Sequence, residues 1–187
     1  MSKRTLEEWR LDDRGKSLAY FSKKKQTVVS RDMIKDLKKI SKENGFVNSR
    51  FCLHNDPGQS LQDMILIAYK GKTCKKPHMH VTGMEAMQII EGEFLAIIMN
   101  GEGGLVDKRI LSAKGEFAYR NERGRYHIYL PLTKYAILRE IRDGQNNPEE
   151  TIYAPWDHAE VLKKYLGREY LNCSNVSCKS PCKLGNF

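Results

Sequence analysis

Gly71-Lys72-Thr73-Cys74-Lys75-Lys76-Pro77-His78-Met79-His80-Val81-Thr82-Gly83-Met84-Glu85, running on to Gly92, is the stretch that decides the fold. Side chains alternate along a strand, so His78 and His80 point to one face and Met79 to the other. Two imidazoles are thereby aimed into one space. Glu85 follows the Thr82-Gly83 break at the head of the next strand, with the parity of Met87 and Ile89, so a carboxylate enters an otherwise apolar interior. A buried carboxylate without a partner is costly, and a cation offsets that cost. Farther along, Gly124-Arg125-Tyr126-His127 supplies a third imidazole at a strand start. A lone buried histidine is more often a hydrogen-bonded core residue, and a single His-x-His pair is weak on its own. The whole pattern reads as one divalent metal ion held by His78, His80, Glu85 and His127.

Outward from this stretch the grammar is that of short strands. Gln62–Lys70, Ala86–Ile90, Glu93–Met99, Leu105–Leu111, Glu116–Arg120, Tyr126–Leu130 and Tyr135–Arg142 are β-rich runs punctuated by Gly, Asn, Asp or Lys. Asn100-Gly101-Glu102-Gly103-Gly104 reads as a hairpin loop. Such spacing predicts a sandwich or barrel. Before it, Ser30 to Gly45 is helical: Ser30 caps, Met33, Leu37 and Ile40 follow at i, i+4 and i+7, and Gly45 ends an amphipathic lid or edge helix. After it, Asp157 and Glu160 form a capping-box pattern, and Val161, Leu162, Tyr165 and Leu166 make an apolar stripe up to Gly167. The organisation expected is a basic extension over 1–26, a barrel domain with its leading helix over 27–160, and a helix end with a cysteine-containing tail over 161–187.

At 187 residues the chain has the length of one domain with tails. No run of about 18 apolar residues occurs, which predicts no membrane span, and no apolar stretch follows the charged start to make a secretion signal. The net charge of +9 lies mostly at the ends: residues 1–26 carry eight Lys/Arg against four Asp/Glu, and residues 163–187 five against one. A nucleic-acid groove across the body needs the opposite distribution, so none is expected. Five cysteines is an odd number, and Cys173, Cys178 and Cys182 crowd the tail without a Cys-x-x-Cys pair. They read as reduced thiols of a cytoplasmic protein.

The run Gly71 to Gly92 resembles the first motif of the cupin superfamily, and Gly115 to His127 resembles its second, with Glu122 where cupins usually carry proline. More narrowly, the chain is similar to the WbuC family of cupin-fold metalloproteins, usually associated with bacterial surface-polysaccharide gene clusters. That likeness spans about 27–160 and includes Arg50-Phe51-Cys52-Leu53-His54, Pro77-His78-Met79-His80 and Ala154-Pro155-Trp156. The resemblance implies a mainly β fold, a double-stranded β-helix or jelly-roll barrel flanked by helices, and a homodimer.

A divalent ion such as Zn, Fe, Mn or Ni with open coordination positions supports Lewis-acid chemistry on a carbonyl or hydroxyl, or oxygen binding as iron. No nucleotide-binding loop, nucleophile elbow or Rossmann fingerprint occurs, which removes kinase, hydrolase-triad and nicotinamide chemistry. The expectation is a sugar or sugar-nucleotide isomerase or epimerase, with an Fe(II) dioxygenase or a non-catalytic ligand-binding cupin as alternatives. Arg50 and His54 are read as residues covering the pocket mouth, Arg50 toward a substrate phosphate or carboxylate and His54 as a proton carrier; structural roles are the alternative for both. Tyr129 shares the parity of His127, so it either presents its hydroxyl inside or packs in the core.

Overall fold

The computed structural model describes residues 7–13, 17–72, 76–143, 151–156 and 158–166. Asp157, Gly167 and the three tail cysteines lie outside them. Two sheets face each other. The larger is built from β1 (Trp9–Asp12), β2 (Leu18–Ser22), β3 (Ser49–Cys52), β4 (Leu61–Tyr69), β6 (Glu85–Glu91), β9 (Ala118–Asn121) and β11 (Tyr135–Asp143), in the order β1-β2-β3-β4-β11-β6-β9. The smaller holds β5 (His78–His80), β7 (Glu93–Met99), β8 (Leu105–Ser112), β10 (Tyr126–Pro131) and β12 (Thr151–Tyr153), in the order β12-β5-β10-β7-β8. All pairings are antiparallel except β2 with β3.

Strand alternation divides the apolar residues among three layers. Between the sheets lie Ala68, Met87, Ile89, Phe94, Ala96, Leu111, Ala136 and Leu138, one residue in two from each central strand. Their odd-parity neighbours Ile65, Ile67, Tyr69 and Ile137 face outward, and α1 (Arg31–Glu43) covers them with Ile34, Leu37 and Ile40. The Ser30 hydroxyl caps α1 by accepting from the Met33 N–H at 3.2 Å, and Gly45 turns away at φ +76°. The helix is thus the outer layer of the large sheet and not a lid over a pocket. On the far side, α2 (His158–Leu166) brings Tyr165 and Leu166 against the outer face of the small sheet.

The stretch expected to be a basic extension enters the sheet instead: β1 and β2 pair with each other, and β2 with β3. Trp9, Tyr20 and Phe21 are buried there. Their apolar area decides the placement, and the four cations described there, Arg10, Lys23, Lys24 and Lys25, stay exposed. Gly92 alone joins β6 to β7. Its φ is +80°, and a Cβ there meets the Tyr135 carbonyl oxygen at 2.5 Å and Thr133 Oγ1 at 2.6 Å. Only glycine fits that corner.

Candidate metal centre

The centre forms where the small sheet's strand β5 lies between β10 and β12. His78 pairs with His127 on β10, and on its other side Tyr153 pairs with His78 and Thr151 with His80. Cross-strand partners share a face, so His78, His80 and His127 converge. Their ligand atoms lie within 4.8 Å of one another. Glu85 enters from the opposing sheet, its oxygens 3.7 Å from His80 Nε2 and 3.3 Å from His127 Nε2. With metal–ligand bonds of about 2.0–2.2 Å, neighbouring ligand atoms stand roughly 3–3.5 Å apart, and the Glu85 contacts are close to that spacing.

The imidazoles are oriented from behind. Nδ1 of His78 lies 3.3 Å from the Lys76 carbonyl, Nδ1 of His127 lies 3.0 Å from the Arg125 carbonyl, and Nδ1 of His80 is 3.5 Å from Thr151 Oγ1. A carbonyl is satisfied only if Nδ1 carries the proton, which leaves Nε2 as the lone-pair donor in His78 and His127. Asn121, on β9 opposite Glu85, sets its side-chain amide group 3.0 Å from the same Nδ1 of His127, and with Nδ1 protonated the amide turns its oxygen there to accept.

Two observations fit a cation. Glu85 Oε2 and His127 Nε2 are both buried and have no hydrogen-bond partner among the described residues. Each orphan costs about 1–3 kcal/mol, which a divalent ion between them relieves. The protonation states agree as well. Burial pushes His78 down to about 4 and lowers His127, keeping them neutral. Burial pushes Glu85 the other way, but its contact with His80 and the fields of His127, His80 and His78 prevail and hold it down, to about 2. Neutral imidazoles and an ionised carboxylate are the forms that bind metal.

Around this set the ladder places further polar groups on the interior face. Across β6, β11, β4 and β3 it aligns Glu85 with Arg142 and Gln62, Met87 with Glu140, Met64 and Cys52, and Ile89 with Leu138, Leu66 and Arg50. Glu140 was not anticipated, although its parity with Ala136 and Leu138 in Tyr135–Asp143 marks it as interior. Burial and the charge of Glu85 push its carboxyl up to about 8 against Arg142 and Arg50. Tyr129 stacks on His127 at 4.8 Å and 29°, its hydroxyl buried without a hydrogen-bond partner among the described residues. It therefore stands inside, beside the centre.

Arg50 and His54 are not brought to this set. Arg50 faces the interior with its Nε buried and unpartnered among the described residues, but it stands two rows and three strands from Glu85. His54 follows β3 on the Glu85 side, still three strands away, roughly 14 Å at the usual strand spacing. Its Nδ1 lies 3.0 Å from the Asp63 carbonyl and 3.2 Å from the Asp63 N–H, and its ring meets Phe21 edge-on at 5.4 Å. It lines a separate open cavity of about 670 Å³ with Leu53, Asp63 and Arg139. Thr151 and Tyr153 are the flanking residues that sequence reading missed; the alternating Thr-Ile-Tyr run is the signal that could have found them.

No protein-family model matches the sequence, and no curated protein matches it. Among solved structures, the chain is similar to CapF bound to the inhibitor 3-isopropenyl-tropolone (15% identity, TM-score 0.47, 57% of this chain and 31% of that one). It is similar to KdgF from Halomonas sp. (16%, 0.43, 55% and 83%). It is also similar to L-ribose isomerase from Cellulomonas parahominis with L-ribose (15%, 0.47, 58% and 70%). The matched part thus spans about a third of the CapF chain. No helix among the described residues is long and apolar enough to cross a membrane. With two facing antiparallel sheets, a His-x-His strand, a carboxylate from the opposing sheet and a late histidine meeting between them, the chain has the cupin fold.

Proposed function

We propose that the chain is a WbuC-like, metal-dependent cupin enzyme that acts on a sugar or sugar nucleotide in bacterial surface-polysaccharide synthesis, by isomerase or epimerase chemistry. The observation that carries this reading is the convergence of His78, His80, His127 and Glu85 in the barrel interior, with His78 half-exposed. A divalent ion held there supplies a Lewis acid to vicinal oxygens of a polyol. The chain's own residues supply the rest. Glu85 and the three imidazoles fix the position of the bound oxygens, and the apolar wall of Met87, Ile89 and Leu138 keeps bulk water from them.

Isomerisation needs a group that takes a carbon-bound proton and returns it to the neighbouring carbon. Tyr129, which stacks on His127, and Glu140, one row from Glu85 on the neighbouring strand, take that role here. His54 is assigned to support of the β3 end, where its ring nitrogen is engaged by the backbone. Arg50 is kept as a contact for a ligand that extends along the barrel. The proposal includes a cytoplasmic homodimer.

Elemental analysis of untagged protein, followed by a screen of sugars and nucleotide sugars on the metal-loaded form, tests it. Exchange of a carbon-bound hydrogen with solvent is the expected result. Oxygen uptake with a small acid and no exchange with any sugar replaces it with the Fe(II) dioxygenase reading, and saturable binding without turnover with a ligand-binding cupin.

A further inference from the structure

The edge strand β12 does more than close the small sheet. Its register sets Tyr153 directly opposite the ligand His78, on the same face, with ring centroids 6.0 Å apart. Tyr153 is 42% exposed, whereas His80 and His127 behind it are buried. The exposed side of His78 therefore opens beside this phenol ring. The Lys76 ammonium stands 4.8 Å from the Tyr153 ring centroid and makes no ion pair among the described residues. The pair is held in place from both sides. The Ala154 N–H donates to the Pro77 carbonyl at 2.9 Å, and the Gly124 N–H donates to the His80 carbonyl at 2.8 Å. That second bond sets the turn bearing Arg123 and Arg125, both exposed, at the His80 end of β5, the end away from Lys76.

We propose that Lys76 and Tyr153 form an anion subsite at the mouth of the metal centre, which takes a phosphoryl group of the ligand whose hydroxyls meet the metal. This deepens the sugar reading above and rests on it: the substrate class becomes phosphorylated sugars, including nucleotide sugars. Lys76 supplies a compact positive charge with three N–H donors and Tyr153 an O–H donor, which the several oxygens of a phosphoryl group accept together where a carboxylate offers only two. The Tyr153 ring also offers a flat apolar face to the carbon face of a pyranose as it passes toward His78.

The full chain loaded with Mn(II) and freed of excess metal provides the test, read by ³¹P relaxation of added inorganic phosphate, since the paramagnetic ion reports only on phosphate bound close to it. Saturable broadening is expected, weakened about tenfold or more in Lys76→Ala and Tyr153→Ala and retained in Lys76→Arg, with manganese content unchanged in all three. Acetate should compete poorly. No saturable broadening in the wild type, or equal affinity in Lys76→Ala and Tyr153→Ala, overturns the subsite. Phosphate binding as described, with no sugar phosphate or nucleotide sugar binding tighter than phosphate, upholds the subsite and rejects the sugar reading. Sugars that bind equally well with and without phosphate do the reverse.

Discussion

Glu85 Oε2 and His127 Nε2 face one another across the two sheets at 3.3 Å, both buried and both without a hydrogen-bond partner among the described residues. A fold that carries such a pair is incomplete without something between them. The first prediction follows from this. His80→Ala deletes one donor and leaves Glu85 with less compensating charge, so the purified variant should hold less than one equivalent of metal, with affinity down roughly tenfold or more. Elemental analysis after dialysis checks it, and a full equivalent in the variant would show the ligand set to be wrong.

Leu37 is fully buried where α1 meets Phe51, Ile65 and Ile67. Truncation to alanine leaves a void in the outer layer and should cost about 2–4 kcal/mol in chemical denaturation. The metal content should not change, because that layer lies on the opposite face of the sheet from the centre. Loss of metal in Leu37→Ala would mean that the helix shapes the site after all.

Gly92 has no room for a side chain: the Tyr135 carbonyl, Thr133 Oγ1 and the Ala136 Cα lie 2.5, 2.6 and 3.1 Å from where a Cβ would be, and its φ is +80°. Gly92→Ala should destabilise the fold by roughly 2–3 kcal/mol, part steric and part backbone strain. Because β6 carries Glu85, the denaturant midpoint of the metal-loaded form should fall along with that of the metal-free form. An unchanged midpoint would contradict the corner geometry.

How much was legible in the sequence depended on the range of each interaction. The cap at Ser30, the stop at Gly45 and the seven strands from Gln62 to Arg142 are set by local alternation, and the observed ends fall within one or two residues of the reading. The convergence of His78, His80, Glu85 and His127 also followed from parity and motif spacing. β1 and β2 were hidden because flanking cations mask two short apolar runs, Trp9–Asp12 and Leu18–Ser22. Arg50 and His54 were placed near the pocket because proximity depends on strand order. β3 inserts between β2 and β4, with β11 still between β4 and β6, and no local pattern states that. Tyr153 was missed for the converse reason: a three-residue edge strand is brought beside His78 by pairing alone.

The last prediction concerns the barrel's other flank, where the edge strands β8 and β9 of the two sheets meet. The Tyr119 hydroxyl donates to Asp107 Oδ2 at 2.9 Å and Arg109 Nε donates to Asp107 Oδ1 at 3.0 Å, so one carboxylate ties the small sheet to the large. Partial burial alone would raise the Asp107 pKa, but the Tyr119 hydroxyl, the Lys108 N–H and the Arg109 guanidinium outweigh it and hold the carboxyl below its usual range. Burial, helped by the same hydrogen bond, pushes Tyr119 up to about 12. A carboxyl depressed in the folded state binds fewer protons there than in the unfolded chain. Its contribution is therefore present above the unfolded value, about 3.9, and is lost as pH falls through the folded value. Asp107→Asn should be about 1 kcal/mol less stable than wild type at pH 7, a small figure because the pair is partly exposed and screened by solvent and salt. The gap should hold steady from pH 7 down to about pH 5 and close below about pH 4, as the wild-type carboxyl takes up its proton. Paired urea melts of the two proteins across that range read it directly. A gap that stays constant below pH 4 would assign the effect to packing around Tyr119 and not to the charge.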